Sequence, residues 1–254
     1  RMFRWLSQTV TVIGLSLRSI PQRLGPSIVA IVGITGVVVT FVAVLSIAEG
    51  FNAAMANAGS PDTAIIMRGG SNAELNSALA LDATRIIADA PGIRRGAAGP
   101  MASAELFVIV NIPKKSTGTD ANVPLRGVQA GAFDVRPEVE IVEGRRFSPG
   151  TNEIVVGRAA SNLFANLELG AVNRWGENTW TVVGIFEAAG TISESEIWCD
   201  AAVLQPAYRR GSTFQSVMAR LDSEDAFQAF KDTLTTDPRL DVQVERETDY
   251  YRSQ

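Results

Sequence analysis

The side chains with the most chemical potential lie between residues 187 and 200. Glu187, Glu194, Glu196 and Asp200 form an acidic cluster, with Ser193, Ser195 and Cys199 among them. Two carboxylates at a suitable separation run glycoside hydrolysis, and several together hold calcium. The spacing fits no calcium loop, and a solvated acidic surface is the competing reading. Ser161, Ser193 and Ser195 lack the strand-turn-helix setting that exposes a serine nucleophile. The chain has no histidine, which removes His-based triads, His-ligated zinc and the commonest general base. Cys199 is the single cysteine, so no disulfide can form within the chain. A reactive thiol there would need an activating cation, and its flanks, Trp198 and Asp200, supply none. None of the lysines, Lys114, Lys115 and Lys231, follows a glycine, so the phosphate-binding lysine of a P-loop is absent. The sequence therefore offers no catalytic, cofactor-binding or metal-binding residue, and the chain reads as a non-enzyme. If ATP drives it, another polypeptide binds the nucleotide.

The elements that would position these residues fall into two regimes. Of 23 basic and 27 acidic side chains, four arginines and no acid lie in the first 48 residues, so the remainder carries a net charge of −8. That acidic remainder would repel phosphate, which argues against nucleic acid as a partner. Leu24 to Ala48 contains no charge. Its core, Ile28–Ala48, reads IVAIVGITGVVVTFVAVLSIA. As a helix it is roughly 31 Å long, matching a hydrocarbon core of about 30 Å. Valine and isoleucine are weak helix formers in water, but a lone span in lipid can satisfy its backbone only as a helix. A signal peptide is the alternative, although its apolar region normally runs about 7–15 residues. Arg1, Arg4, Arg18 and Arg23 all precede the span and Glu49 follows it. The positive-inside rule places the N-terminus in the cytoplasm and residues 49–254 outside. Residues 1–23 read as an amphipathic segment on the cytoplasmic face or as a frayed terminus, with Pro21, Gly25 and Pro26 separating it from the span.

Beyond the membrane the spacing predicts helix through Glu49–Asn57 and strands at Thr63–Met67, Ser103–Ile112 and Val123–Val128, with a helix at Asp82–Asp89. A solvated loop fills Lys114–Asn122. Strands follow at Asn152–Val156, Thr179–Phe186 and Ser195–Asp200, with helices at Gly157–Asn166 and Ala202–Tyr208. A strand at Gln215–Leu221, a helix to Leu234 and a strand at Leu240–Val244 complete the pattern. Gly144, Gly157, Gly170 and Gly184 read as residues of fold at element ends, and Trp180 and Trp198 as core.

Several stretches are similar as a set to the MacB-like periplasmic core domain of MacB/FtsX-type ABC-transporter permeases. They are LRGVQAGAFDVRPEVEIVEGRRF (125–147), NEIVVGRAASNLFANLELG (152–170), WTVVGIFEAAGTISESEIWCDAAVLQ (180–205) and ETDYYRSQ (247–254), with EGF (49–51) after the span. The resemblance implies an α+β fold: a transmembrane helix, then an extracytoplasmic domain with a βαβ porter-like subdomain and an inserted, mostly β, sabre-like one. On that reading residues 24–58 are the transmembrane helix and its extension, 59–128 and 215–247 the two parts of the porter-like subdomain, and 129–214 the insertion. Residues 248–254 lead towards a second transmembrane helix, and the chain reads as C-terminally truncated. The resemblance also implies a bacterial inner (cell) membrane location and a separate cytoplasmic ABC ATPase. It implies a second permease copy, as homodimer or heterodimer. A periplasmic adaptor protein and membrane lipid are the remaining expected partners. The function implied is ATP-driven movement of the outer domain for export or extraction of a hydrophobic, lipid or peptide substrate. The alternative is an FtsX-like signalling module that activates an extracytoplasmic cell-wall hydrolase.

Overall fold

The computed structural model describes residues 24–56, 59–97 and 99–253. The expected amphipathic segment at 1–23 lies outside the described residues. The chain divides into two compact units, residues 1–53 and 54–254.

Helix α1, Leu24–Ala56, makes up the described part of the first unit, and its last three residues open the second. Residues 25–47 are long and apolar enough to cross a membrane. Its large side chains are exposed on every face (Val29 71%, Val37 71%, Ile47 74%), which suits hydrocarbon better than water. Gly25 and Pro26 do not interrupt this helix, as the sequence suggested, but lie in its first turn. There a proline is tolerated, because the first backbone N–H groups have no intrahelical partner. The Thr40 hydroxyl donates to the Gly36 carbonyl (2.8 Å), so its polar group is satisfied within the helix.

The second unit is built on one sheet. In chain order its elements are β1 (Thr63–Arg68), β2 (Leu79–Ala80), α2 (Leu81–Ala88), β3 (Arg95–Gly96), β4 (Gly99–Pro100), β5 (Ala102–Pro113) and β6 (Asp120–Val128). Then come α3 (Ala132–Val135), β7 (Glu140–Gly144), β8 (Glu153–Gly157), α4 (Arg158–Leu163), β9 (Val172–Trp175), β10 (Asn178–Glu187), β11 (Ile197–Asp200) and α5 (Ala201–Ala207). The remainder is β12 (Thr213–Phe214), β13 (Ser216–Arg220), α6 (Phe227–Thr235), β14 (Val242–Arg246) and α7 (Glu247–Ser253). Among the described residues the sheet has ten strands, in the order β14-β1-β13-β5-β6-β11-β8-β10-β7, with β9 paired to β10.

The first four strands of that order make a split βαβ arrangement. β1 runs antiparallel to both β13 and β14, and β13 antiparallel to β5, so each helical crossover, α2 and α6, joins a parallel pair. Alternation along the strands sends Ala64, Ile66, Ala104, Val217, Ala219 and Val244 to one face, where Ile87 of α2 and Phe230 and Leu234 of α6 cover them. A second core forms where β5 and β6 run on: Leu106, Val108, Val110 and Leu125 pack with Ile154, Trp180, Ile197 and Leu204. β5 thus belongs to both cores, through Ala104 in one and Leu106 to Ile112 in the other, and the sheet runs without a break from one to the other.

Most expected strands and helices lie within a few residues of their places. β6 starts at Asp120, so the expected loop at 114–122 is shorter, and α4 ends at Leu163 rather than near Asn166. The two-residue strands and β9 escaped the sequence pattern because their exposure alternates too briefly to register. Gly184 lies inside β10, not at its end, where the register with β8 shifts, a common place for glycine. Gly157 ends β8 against the 194–196 segment; a methyl group there would stand 2.1 Å from the Glu194 carbonyl oxygen. Gly157→Ala should therefore lower the stability of the second unit by about 1–3 kcal/mol, read as a fall in its urea unfolding midpoint with an unchanged slope.

Candidate functional site

The sheet's other face carries a line of side chains that simple alternation would send to water. Strand β5 turns Leu106 and Val108 into the core, and Glu105 and Phe107 the opposite way. On β6 the same alternation brings Arg126 and Pro124 beside them, because Arg126 is in register with Phe107 on one side and Trp198 of β11 on the other. Elements laid over this face turn an outward position into a buried one. They are α7, the α3 turn, and the short 3₁₀ turns at Glu74–Asn76 and Ile192–Ser195.

Arg126 sits at the centre, 2% exposed. Its Nε and Nη2 donate to the two oxygens of Glu196 (both 2.8 Å). Nη1 and Nη2 donate to the two oxygens of Glu74 (2.7 and 3.0 Å), and Nη1 donates also to Glu105 (2.9 Å). All five guanidinium N–H groups are thereby used. Glu105 extends the network, accepting from Nη1 and Nη2 of Arg136 (2.7 and 3.0 Å). Ser216 donates to Glu74 (2.6 Å), and the Trp198 indole donates to Glu196 (2.8 Å). The Glu74 backbone N–H donates to the Tyr250 hydroxyl (3.2 Å). The apolar flanks are a cluster of Ile65, Met67, Met218 and Tyr251 on one side and of Phe133, Phe186 and Trp198 on the other.

The electrostatics follow from the packing. Burial pushes the Glu74 carboxyl up, but the Arg126 guanidinium and the Ser216 hydroxyl more than offset it and hold the group below its usual range. Burial alone would lower Arg126, yet Glu196, Glu74 and Glu105 raise it well above its usual value. Burial, then the nearby Glu74 charge, pushes the Tyr250 hydroxyl up to about 12. These groups stay in one charge state near neutrality and do not exchange protons as a catalytic pair would.

A cleft of about 260 Å³ opens over the charged floor of Glu74, Arg126 and Glu196. Its apolar walls include Leu75, Phe107, Pro124, Ile192 and Tyr250. Leu75 (50% exposed) and Ile192 (38%) stand at its rim.

The acidic cluster seen in the sequence is dispersed. Glu196 turns inward to Arg126, whereas Glu194 accepts from the Ala188 and Gly190 N–H groups (both 2.8 Å). Glu187 pairs with Arg158 (3.0 Å), and Asp200 caps α5 by accepting from the Ala202 N–H (2.9 Å). No group of metal-ligating side chains is assembled among the described residues. The Ser161 carbonyl accepts from the Lys115 ammonium (2.7 Å). Cys199 is fully buried, and burial, with Asp200 next, raises its thiol well above the usual value; it packs in the core as an inert side chain. Trp180 and Trp198 are both core, as expected. Sequence reasoning missed Glu105, Arg126 and Arg136. The available signal was an opposite-charge pair in two adjacent, otherwise apolar strands, SAELFVIV and VPLRGV.

Replacing Arg126 with methionine leaves Glu74 and Glu196 buried without their guanidinium partner and takes one of three such bonds from Glu105, and should cost about 3–5 kcal/mol. Arg209, 83% exposed and paired with Glu177, should cost less than about 1 kcal/mol when changed to alanine. Chemical denaturation of the two variants side by side reads the contrast.

The sequence profile of the MacB-like periplasmic core domain family matches residues 27–237. No curated protein matches the chain. Among solved structures, the fold is similar to the periplasmic region of MacB from Actinobacillus actinomycetemcomitans, with a TM-score of 0.55 and 14% identity over 76% of this chain and 92% of that one. It is also similar to the extracellular domain of the noncanonic ABC-type transporter YknZ from Gram-positive bacteria (TM-score 0.50, 17% identity, 72% of this chain and 100% of that one).

Proposed function

Because the chain belongs to the family of MacB-like periplasmic core domains of ABC-transporter permeases, we propose that it couples ATP hydrolysis by a separate cytoplasmic ATPase to movement of its outer domain. In this reading α1 crosses the bacterial inner membrane with the four N-terminal arginines on the cytoplasmic side, and residues 49–254 work outside. Residues 59–128 and 215–247 act as a porter-like frame and 129–214 as a sabre-like insertion. Two permease copies act together, and the cargo is a hydrophobic, lipid or peptide substrate that is exported or extracted.

The observation that carries the proposal is the meeting of the domain's first and last segments. The Ser60 backbone N–H, four residues after the end of α1, donates to the Glu247 carboxylate (3.0 Å) at the start of α7. Gly59 lies so close that a methyl group on it would stand 2.6 Å from Glu247 Cγ. On this reading, chain arriving from one membrane helix and chain departing towards another leave the domain at one place. A displacement of either helix acts on the Arg136 and Arg126 network at its edge, through Glu247 (3.8 Å from Arg136) and then Glu105.

Two experiments test this reading. The gene beyond residue 254 should encode three further apolar spans of about 20 residues each; a stop codon close by would overturn it. With Leu75→Cys at the cleft rim, the full-length permease reconstituted with its ATPase should show a change of at least about threefold in maleimide labelling rate between nucleotide-free and ATP-trapped states. Equal rates in both states at this and at a second rim position, Ile192→Cys, would argue against coupling.

A further inference from the structure

Four buried carboxyl groups face two buried guanidinium groups on this sheet face. Glu74, Glu105, Glu196 and Glu247 are 5% exposed or less, and Arg126 and Arg136 are 2% exposed. With every carboxyl ionised, two negative charges would be left uncompensated away from water, and such groups take up a proton instead.

The geometry picks out which one. Glu74 and Glu196 each accept two guanidinium hydrogen bonds, and Glu105 accepts three. Glu247 accepts none: Arg136 Nε stands 3.8 Å from its Oε1 and is itself a buried donor without a partner. The Ser60 N–H holds the other oxygen (3.0 Å). Around Glu247 stand Arg136 and Glu138 from the segment after α3, Glu105 from β5, and Tyr251 from its own helix.

We infer that Glu247 is a proton-binding site at the junction of the outer domain's first and last segments, and that loss of this proton draws Arg136 and the Ser60 amide onto its carboxylate. Burial pushes the Glu247 carboxyl up to about 7; Arg136 and the Ser60 N–H pull against this, while Glu138 and Glu105 add to it. A glutamate in the unfolded chain titrates near 4.5. The folded state thus binds more protons than the unfolded state between about pH 4.5 and about pH 7. The group's contribution to stability is complete below that window and is lost as the pH rises through about 7. Acid outside the membrane neutralises the tie between the two segments, and neutral pH charges it. Use of this tie as a regulator rests on the coupling proposed above; the proton site itself rests on side-chain geometry alone.

The test uses the full chain in detergent micelles, with 13C in the glutamate carboxyl groups and 15N in the serine amides. From about pH 4 to about pH 9, the Glu247 carboxyl carbon and the Ser60 amide should move together with one midpoint near neutrality. The Ser60 amide proton should move downfield as the pH rises, because an ionised carboxylate is the stronger acceptor. Glu247→Gln should abolish the Ser60 step. A Glu247 midpoint below about 5, or a Ser60 amide that stays flat while Glu247 titrates, would overturn the inference. Should Glu247→Gln fail to fold, the two wild-type titrations decide the question by themselves. The experiment contains no ATPase and no substrate, so failure of the coupling proposal would leave its outcome unchanged.

Discussion

A guanidinium with all five donors engaged inside a protein fixes everything that surrounds it. Arg126 binds carboxylates from a turn before β2, from β5 and from the segment before β11. Those three segments are far apart in sequence and come together only in the finished domain. Moving such charges out of water is expensive, and good geometry roughly offsets the cost rather than exceeding it. The network's effect is therefore mainly one of position. A register slip of one residue in β6 would turn Arg126 into the core and leave Glu74 and Glu196 buried without a cation, so the pairing of β5, β6 and β11 is specified far more sharply than apolar packing would specify it.

One of these strands also links two cores. β5 spans 12 residues, about 40 Å of extended chain, and is hydrogen-bonded to β13 near its start and to β6 over the rest. One core packs on its first part and another on its second. A strand that runs through both cores and is hydrogen-bonded along its length resists bending between them, so under the proposed coupling a displacement where Ser60 meets Glu247 would pass along the sheet. The charged network sits on this path, with aromatic packing on either side. Phe133 and Phe186 meet Trp198 at ring-centroid distances of 5.6 and 5.0 Å, and the Arg136 guanidinium lies 5.2 Å from the same indole. Trp198 thus joins the apolar and the charged halves of the layer, its ring meeting Phe133, Phe186 and Arg136 and its N–H donating to Glu196.

Local pattern alone determined a good deal. The uninterrupted apolar run marked α1, short apolar runs marked β1, β5, β8, β10 and β13, and the spacing of Phe227, Phe230 and Leu234 marked the helix between β13 and β14. The absence of histidine excluded whole classes of chemistry, and a set of scattered motifs pointed to the family. These features are legible because they depend on neighbours a few residues away. Only the tertiary structure decided that Glu196 would leave its acidic neighbours for an arginine 70 residues earlier, or that Glu247 would close onto Ser60 across 187 residues. The same strand position faces water in an open sheet and a dry interior in a covered one. Whether Glu105 and Arg126 are solvated or form the centre of the molecule depends on α7 and the α3 turn lying over that face, and no local rule in β5 or β6 records what will cover them.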